Sequence, residues 1–466
     1  MNNQPEMAGG RTALEVDVDV VVVGAGGGGL VAGLAAADRG ASVVVLEKLE
    51  KAGGNTGLST GSIPAGGTRQ QQDAGVQDNA EHMTADLIRQ SGPHEAEHLS
   101  RRLAQTSADL VDWLVDDHQV GLRLILDYKH VGHSLHRLHA PPSRRGQDLV
   151  DDLLAACQRA GVDVITGNPV SRLVVEDGRV AGVVVEGDRI EPYTLRCHAV
   201  VLAANGFAAN RALIERWAPE LARLEYFGAH GSTGEAIEWG VELGGRLRNQ
   251  TAFQGYAAVA YPHGSILSWT TIEMGGVLVD STGSRIGDEL LGYSGFTTAV
   301  LAGTPPIWAV YDTRIREHTL REDEYRDLVE MGGATECADV AALAALTGAS
   351  PNALIETLER YAAAARGEQA DTYGRTDFAM APLQPPYVTS RVTPGLFHTQ
   401  GGLDVDGDGR VVRQDGSTIR GLYAVGGVAA GISGREGGRG YSSGNGLLAA
   451  VGMGRLAGAA AAAERP

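Results

Sequence analysis

Three apolar runs, each ending in a loop of small residues, predict an α/β fold for this 466-residue chain. Val20 to Val23 enters the cluster Gly24-Ala25-Gly26-Gly27-Gly28-Gly29. Val43 to Leu46 ends on Glu47, and His198 to Ala203 leads into Asn205-Gly206-Phe207. Short apolar runs that alternate with helical stretches imply parallel strands with crossover helices. A fourth run, Gly421-Leu422-Tyr423-Ala424-Val425-Gly426, comes only after a long region of different character. The predicted architecture is therefore a split Rossmann-like nucleotide-binding domain with an inserted α+β domain. Its parts are residues 1–251, 252–384 and 385–466.

Each element has a local cause. Gly24, Gly26 and Gly29 fit G-x-G-x-x-G directly after a strand, and an alanine-rich helix follows and stops at Gly40. The first glycine permits the tight turn, the second lets backbone approach a pyrophosphate, and the third lets helix pack on strand. The helix N-terminus offers free N–H groups to phosphate, and Glu47, 23 positions after Gly24, is placed to accept from an adenosine ribose. A hydroxyl- and glycine-rich loop, Gly53 to Ser62, comes next. Residues 80–117 and 146–160 read as amphipathic helices. Val170 to Val185 reads as a hairpin turning at Asp177-Gly178. In the inserted region, Ser350-Pro351 predicts a helix start, and Gln384-Pro385-Pro386 reads as the return linker. A terminal helix is expected from about Gly446.

Composition narrows the function. Hydrophobic content of 43% and charged content of 21% suit a globular protein, and 65 glycines imply many tight turns. A formal net charge of −18 argues against nucleic acid as a partner. Cys157, Cys197 and Cys337 are far apart and suit a reducing compartment, so the expected location is cytoplasmic. The N-terminus has no apolar core for a signal peptide, and no long apolar span predicts membrane insertion. A second G-x-G-x-x-G after a strand is absent, which counts against a separate NAD(P)H domain.

Taken together, Gly24–Gly29 with Glu47-Lys48, Gly53-Gly54-Asn55-Thr56, Ala203-Ala204-Asn205-Gly206-Phe207, His398-Thr399-Gln400-Gly401-Gly402, Gly421–Gly426 and Asn445-Gly446-Leu447-Leu448 resemble the fumarate reductase/3-ketosteroid dehydrogenase superfamily. The resemblance covers essentially the whole chain and implies FAD in an extended pose, with the inserted α+β domain as a substrate-capping domain over it. Covalent members carry a His in the loop after the second strand; this loop has none, so FAD is expected to be non-covalent. The implied cofactor residues are Gly24, Gly26, Gly28, Gly29, Glu47, Lys48, Gly54, Asn55, Thr56, Ser59, Val170, Ala203, Gly426, Asn445, Leu447 and Leu448. The terminal helix would aim its N-terminus at the flavin N1–C2=O region. Where many relatives place Glu or Asn after the Tyr-Ala-Val-Gly strand, this chain has Gly427, and one ribityl contact is expected to be lost.

Residue types at the reacting end separate the superfamily's chemistries. Fumarate-type reductases hold a dicarboxylate with arginines and protonate it with another. Eight residues past Arg285, where that proton-donating Arg would fall, stands Tyr293; where a clamping Arg precedes the terminal helix stands Tyr441, in Gly440-Tyr441-Ser442-Ser443-Gly444. This pattern is similar to 3-ketosteroid dehydrogenases and to desaturases of smaller ring ketones, such as cyclohexanone or 4-oxocyclohexanecarboxylate. Desaturation beside a ketone needs a donor to the carbonyl oxygen, a base for the α-proton and a hydride acceptor. Tyr441 with Ser443 is expected on the carbonyl side and Tyr293, held partly as phenolate by a lowered pKa, as proton acceptor; the two tyrosine roles are interchangeable. His398 is a further site candidate. The alternatives are a fumarate-like reductase of an unsaturated acid and a flavin-binding electron-transfer protein. The expected partners are a small ring ketone and an unidentified electron acceptor, in a monomer or small homo-oligomer.

His130, His133, His136 and His139 recur every third residue, a spacing that does not gather four imidazoles around one ion, so no metal is expected. One of His133 or His136 is expected to reach the site. Asp404 to Gly409 mimics a calcium loop but reads better as a β-turn. Arg435 and Arg439 are either solvated or, if inward, able to clamp a substrate carboxylate.

Overall fold

The computed structural model describes residues 17–127 and 129–465. The reading of residues 1–16 as lacking a signal core lies outside them. The first layer is a parallel sheet in the order Arg410–Val412, Thr418–Ala424, Ala199–Leu202, Val20–Val23, Val43–Leu46, Asp163–Ile165, with one antiparallel edge pair at 410–424. Val20 pairs with both Ala199 and Val43, so the apolar runs lie side by side and bury on both faces. The last strand joins the first through Ala199–Leu202, which closes the split domain across some 400 residues of chain.

The helix Gly27–Ala37 lies on this sheet and meets the terminal helical segment, Asn445–Ala462, at backbone distance. A Cβ on Gly454 would stand 2.4 Å from the Gly28 carbonyl oxygen, and one on Gly458 would stand 2.1 Å from that of Ala32. The terminal segment is not regular: Leu448–Gly452 makes a π-turn where it passes the glycine loop.

The second layer holds the strands Val277–Val279, Ile307–Asp312, Tyr387–Thr399, Thr251–Ala260 and Glu436–Gly437. Its centre corrects the expected boundary at 384. Tyr387–Thr399 pairs with both Thr251–Ala260 and Ile307–Asp312, so Pro385-Pro386 leads into the capping sheet rather than out of it. The chain returns to the first domain only at the end of that strand, where His398 and Thr399 stand. Behind the sheet, Arg285 is buried between Glu289 and Asp371 and lies over the Tyr361 ring.

Two further expectations are refined. The helix read over 80–117 is two, Ala80–Ser91 and Glu97–Asp116, because Gly92 takes φ +65° and Pro93 lacks an N–H. The helix Gly146–Ala160 and the Val170–Glu176/Arg179–Gly187 hairpin form as read, and a third strand, Ile190–Arg196, joins the hairpin. Asp404–Gly409 makes a tight turn in which Asp406 Oδ1 accepts from the N–H groups of Asp408 and Arg410. Among the described residues, no helix is long and apolar enough to cross a membrane.

One buried ionic cluster supports the site from outside. Arg137 is 1% exposed and reaches both Asp78 and Asp86, while Asp86 also accepts from the N–H and hydroxyl of Ser134. Burial opposes the charge on Asp86, but these donors win and hold its carboxyl far below the usual range. The stability this provides is present above the ordinary carboxylate pKa and is lost only in strong acid. Arg137→Met, which strands two buried carboxylates, is expected to lower unfolding stability by about 3–5 kcal/mol at neutral pH, read by urea denaturation. The loss should shrink as acid neutralises Asp86.

Candidate active site

A cavity of about 1310 Å³ runs from the glycine turn, between the two layers, to the capping lobe. At one end Glu47 is anchored: Oε2 accepts from the Ala25 N–H at 2.9 Å and Oε1 from the Leu49 N–H at 2.9 Å. These bonds come from the turn and from the loop just past the second strand, so the carboxylate is aimed by backbone. Lys48 bonds Thr233 and pairs with Glu235 at 3.0 Å. Gly26 has an ordinary φ of −78°, and a Cβ there would meet only the Gly53 carbonyl oxygen, at 3.7 Å. That leaves room against backbone for a phosphate group. The Gly27 N–H is already taken by Thr56 Oγ1 at 3.0 Å.

Of the expected cofactor residues, Gly24, Gly26, Gly28, Glu47, Lys48, Gly54, Asn55, Thr56, Ser59, Val170, Ala203, Gly426 and Leu447 line this cavity. Gly29, Asn445 and Leu448 do not. Gly29 serves packing alone, since its Cβ would stand 1.9 Å from the Gly24 carbonyl oxygen. Leu448 lies in the core beneath. Asn445 is fully buried at the head of the terminal helix, with Oδ1 and Nδ2 both lacking a partner. The position at 427 also has a packing cause: a Cβ there would meet Asn205 Oδ1 at 2.6 Å and His398 Nε2 at 2.9 Å.

The other end brings together all four expected reacting residues, from three separate stretches of chain. Tyr293, Tyr441, Ser443 and His398 line the cavity. The Tyr293 hydroxyl is 3.2 Å from Ser443 Oγ, and the Tyr293 and Tyr441 rings are 6.1 Å apart. The Gly446 N–H points at the Tyr441 phenol oxygen. Burial is the first cause of every shift here. It pushes Tyr293 up to about 12 against the Ser443 hydrogen bond, raises Tyr441 well above 10, and pulls His398 down to about 4. The expectation of a lowered tyrosine pKa is therefore corrected: among the described residues no cation pairs with either phenol, and burial opposes the phenolate.

Sequence reasoning missed the wall around these groups. Tyr256 stacks on Tyr293 at 5.1 Å, meets Phe397 at 5.5 Å and touches Trp269 edge-on at 6.3 Å. These aromatics are scattered along the chain and gather only through the sheet pairing of 251–260 with 387–399. The histidines also fall differently. His130 lines the cavity, while His133 Nε2 sits behind it, 2.8 Å from the Ser443 carbonyl oxygen. His136 does not line the cavity, and His139 is tied to Thr68 and the Arg137 carbonyl. Arg435 is exposed and paired with Glu95; Arg439 is exposed and outside the cavity. Neither clamps a substrate. Among the described residues, no group of three His, Cys, Asp or Glu side chains is arranged to hold a metal.

A family model described as an FAD binding domain matches residues 19–443, and the chain belongs to this family. The NADH:fumarate oxidoreductase of Klebsiella pneumoniae is 31% identical over 459 residues, 97% of this chain but 48% of the relative. The chain thus spans about half the length of that protein. An open flavocytochrome c3 fumarate reductase superposes with a TM-score of 0.79 and 28% identity, covering 96% of this chain and 78% of that one. The 3-ketosteroid-Δ4-(5α)-dehydrogenase of Rhodococcus jostii superposes at 0.76 with 26% identity, covering 97% and 98%. FAD is the cofactor of the family, and the residues fit it: an oriented acid and an uncrowded glycine turn line the cavity, and the unpartnered buried amide of Asn445 stands at the head of the adjoining helix.

Two glycines separate cofactor binding from folding. Gly26→Ala is expected to keep apoprotein stability within about 1 kcal/mol while weakening FAD binding at least tenfold, measured by fluorescence titration. Gly29→Ala, whose Cβ meets an immovable carbonyl, is expected to fail in the apoprotein melting curve itself.

Proposed function

We propose that this protein is an FAD-dependent oxidoreductase that desaturates a cyclic ketone at the α,β position. The observation that carries this reading is the pair Tyr293–Ser443 beside Tyr441 in an aromatic pocket, where phenol and alcohol groups stand instead of guanidinium groups. A neutral carbonyl needs hydrogen-bond donors, whereas a dicarboxylate needs cations. The chain resembles both classes of relative, so the choice rests on these side chains.

FAD is held non-covalently, since the loop 53–62 carries no histidine, and Glu47, Thr56, Asn55 and Gly26 line the space for it. When bound, FAD supplies the acceptor for the hydride that leaves the β-carbon. Tyr441, kept as a phenol by burial, donates to the ketone oxygen and stabilises the charge that develops there. The Gly446 N–H polarises that phenol from behind. Tyr293, in the small fraction present as phenolate, takes the α-proton and becomes the phenol whose hydroxyl lies 3.2 Å from Ser443 Oγ, and it returns that proton to solvent between turnovers. Loss of one proton and one hydride leaves the carbon–carbon double bond, and the two electrons pass to an external acceptor. The aromatic wall of Tyr256, Trp269 and Phe397 excludes water from this exchange.

The test is anaerobic flavin bleaching with 3-ketosteroids, cyclohexanone, 4-oxocyclohexanecarboxylate and, with a viologen donor in the reverse direction, fumarate. Bleaching by a ring ketone without fumarate reduction is expected; fumarate turnover alone overturns the reading. Tyr441→Phe is expected to retain FAD and lower kcat by about 10²–10³-fold. A proton acceptor of pKa about 12 is charged in only about one molecule in 10⁵ at pH 7, so kcat/KM should climb about tenfold per pH unit from 7 to 10. A flat profile would move the acceptor role away from Tyr293.

A further inference from the structure

We propose that Arg144 is the carboxylate-recognising residue of the pocket, so that the substrate is a ring ketone bearing a carboxylate across the ring from its carbonyl. The proposal rests on the desaturase reading and narrows its substrate class.

Arg144 lines the cavity, and its Nε is cut off from solvent with no hydrogen-bond partner. A guanidinium nitrogen in that state is costly unless an acceptor arrives. The other cavity-lining cations differ. Lys48 is committed to Thr233 and Glu235, while Arg145 and Arg321 are exposed. Asp127, the acid that lines the same stretch, is itself exposed.

The backbone is arranged to hold Arg144 there. It sits at φ +57°, a left-handed conformation that a residue with a Cβ seldom adopts, in a turn closed by its N–H to the Pro141 carbonyl at 2.9 Å. The turn is pinned to the cofactor loop, since the Gly146 N–H reaches the Ser59 carbonyl at 2.6 Å. A Cβ on Gly146 would stand 2.0 Å from the Thr56 carbonyl oxygen. Arg144 thus cannot drift without moving residues 56–59.

Its position relative to the reacting groups follows from the segment between them. The Val131 carbonyl accepts the Ser443 N–H at 2.9 Å, and His133 holds the Ser443 carbonyl at 2.8 Å. Next in that segment, His130 is pulled down to about 3, first by burial and then by the Arg144 charge. Ser443, His130 and Arg144 all line the one cavity. A ring with its carbonyl at Tyr441 and Ser443 presents a substituent on the opposite carbon toward the guanidinium, whose planar fork matches a carboxylate.

The test uses the FAD-loaded protein. 4-Hydroxybenzoate and phenol, flat analogues with and without the carboxylate, are titrated while the flavin spectrum is recorded. Wild type is expected to bind the acid at least tenfold more tightly. In Arg144→Gln that ratio should fall below about threefold, and Arg144→Lys should restore part of it. In turnover, the KM for 4-oxocyclohexanecarboxylate should rise about tenfold or more in Arg144→Gln, with a smaller change in kcat and flavin content unchanged. Equal binding of both analogues by wild type overturns the proposal, as does an Arg144→Gln protein that loses flavin, which would assign the side chain to the cofactor. Bleaching by cyclohexanone and the keto acid alike, with equal KM, would sink this proposal and leave the desaturase reading standing. Failure of every ketone to bleach the flavin would sink the desaturase reading instead, while the analogue titration still decides Arg144.

Discussion

Backbone-to-backbone contact between the first helix and the last is the constraint on which the site depends. Gly454 and Gly458 leave no room for a Cβ, and one on Gly28 would press on the Ala450 carbonyl oxygen at 3.0 Å, so the first helix and the last meet at carbonyl distance. This contact, with the parallel pairing of 199–202 to both 20–23 and 418–424, places the terminal segment beside the glycine turn. Tyr441 and Ser443 precede that helix directly, and Asn445 heads it. Wider packing would open the space between glycine turn and terminal helix and separate the ends of the cavity.

The reacting end is governed by desolvation rather than by charge pairing. Arg137, Arg285 and Arg375 are all buried, yet each is matched by carboxylates away from the phenols. Around the phenols the pocket is left with hydroxyls, imidazoles and aromatic faces, where burial raises Tyr293 and pulls His398 down. Neutral donors in a dry pocket suit a carbonyl, because a hydrogen bond there is strengthened without the cost of burying an ion. The charged side chains hold the loops that carry the neutral ones: Arg137 and Asp86 fix Ser134, and His133 in the same segment holds Ser443.

Legibility varied with the range of the interaction. The strand–turn–helix unit at 20–47 was readable because every part of it is local: a turn that needs glycine, a helix that begins there, an acid at the next strand's end. The hairpin at Asp177-Gly178 was readable for the same reason, since both residues take positive φ. The split of 80–117 was underread, because Gly92-Pro93 interrupts a pattern whose amphipathic faces continue on both sides. The boundary at 384 failed because Pro385-Pro386 marks an end of local structure without saying which sheet takes the next strand. Tyr293, Tyr441, Ser443 and His398, which line the cavity, were named from residue type within motifs, whereas Tyr256, Trp269 and Arg144 carry no motif at all.

The sequence alone therefore determined the α/β class, the nucleotide turn and the residue types that replace arginine, because these are set within a few tens of residues. Only the tertiary structure decided which aromatics enclose the tyrosines, that burial raises rather than lowers both phenols, and that Arg435 and Arg439 face away while Arg144 faces in. The reason is that burial and unmatched charge are properties of the folded neighbourhood: they arise when strands 251–260 and 387–399 pair, and no single stretch of chain contains them.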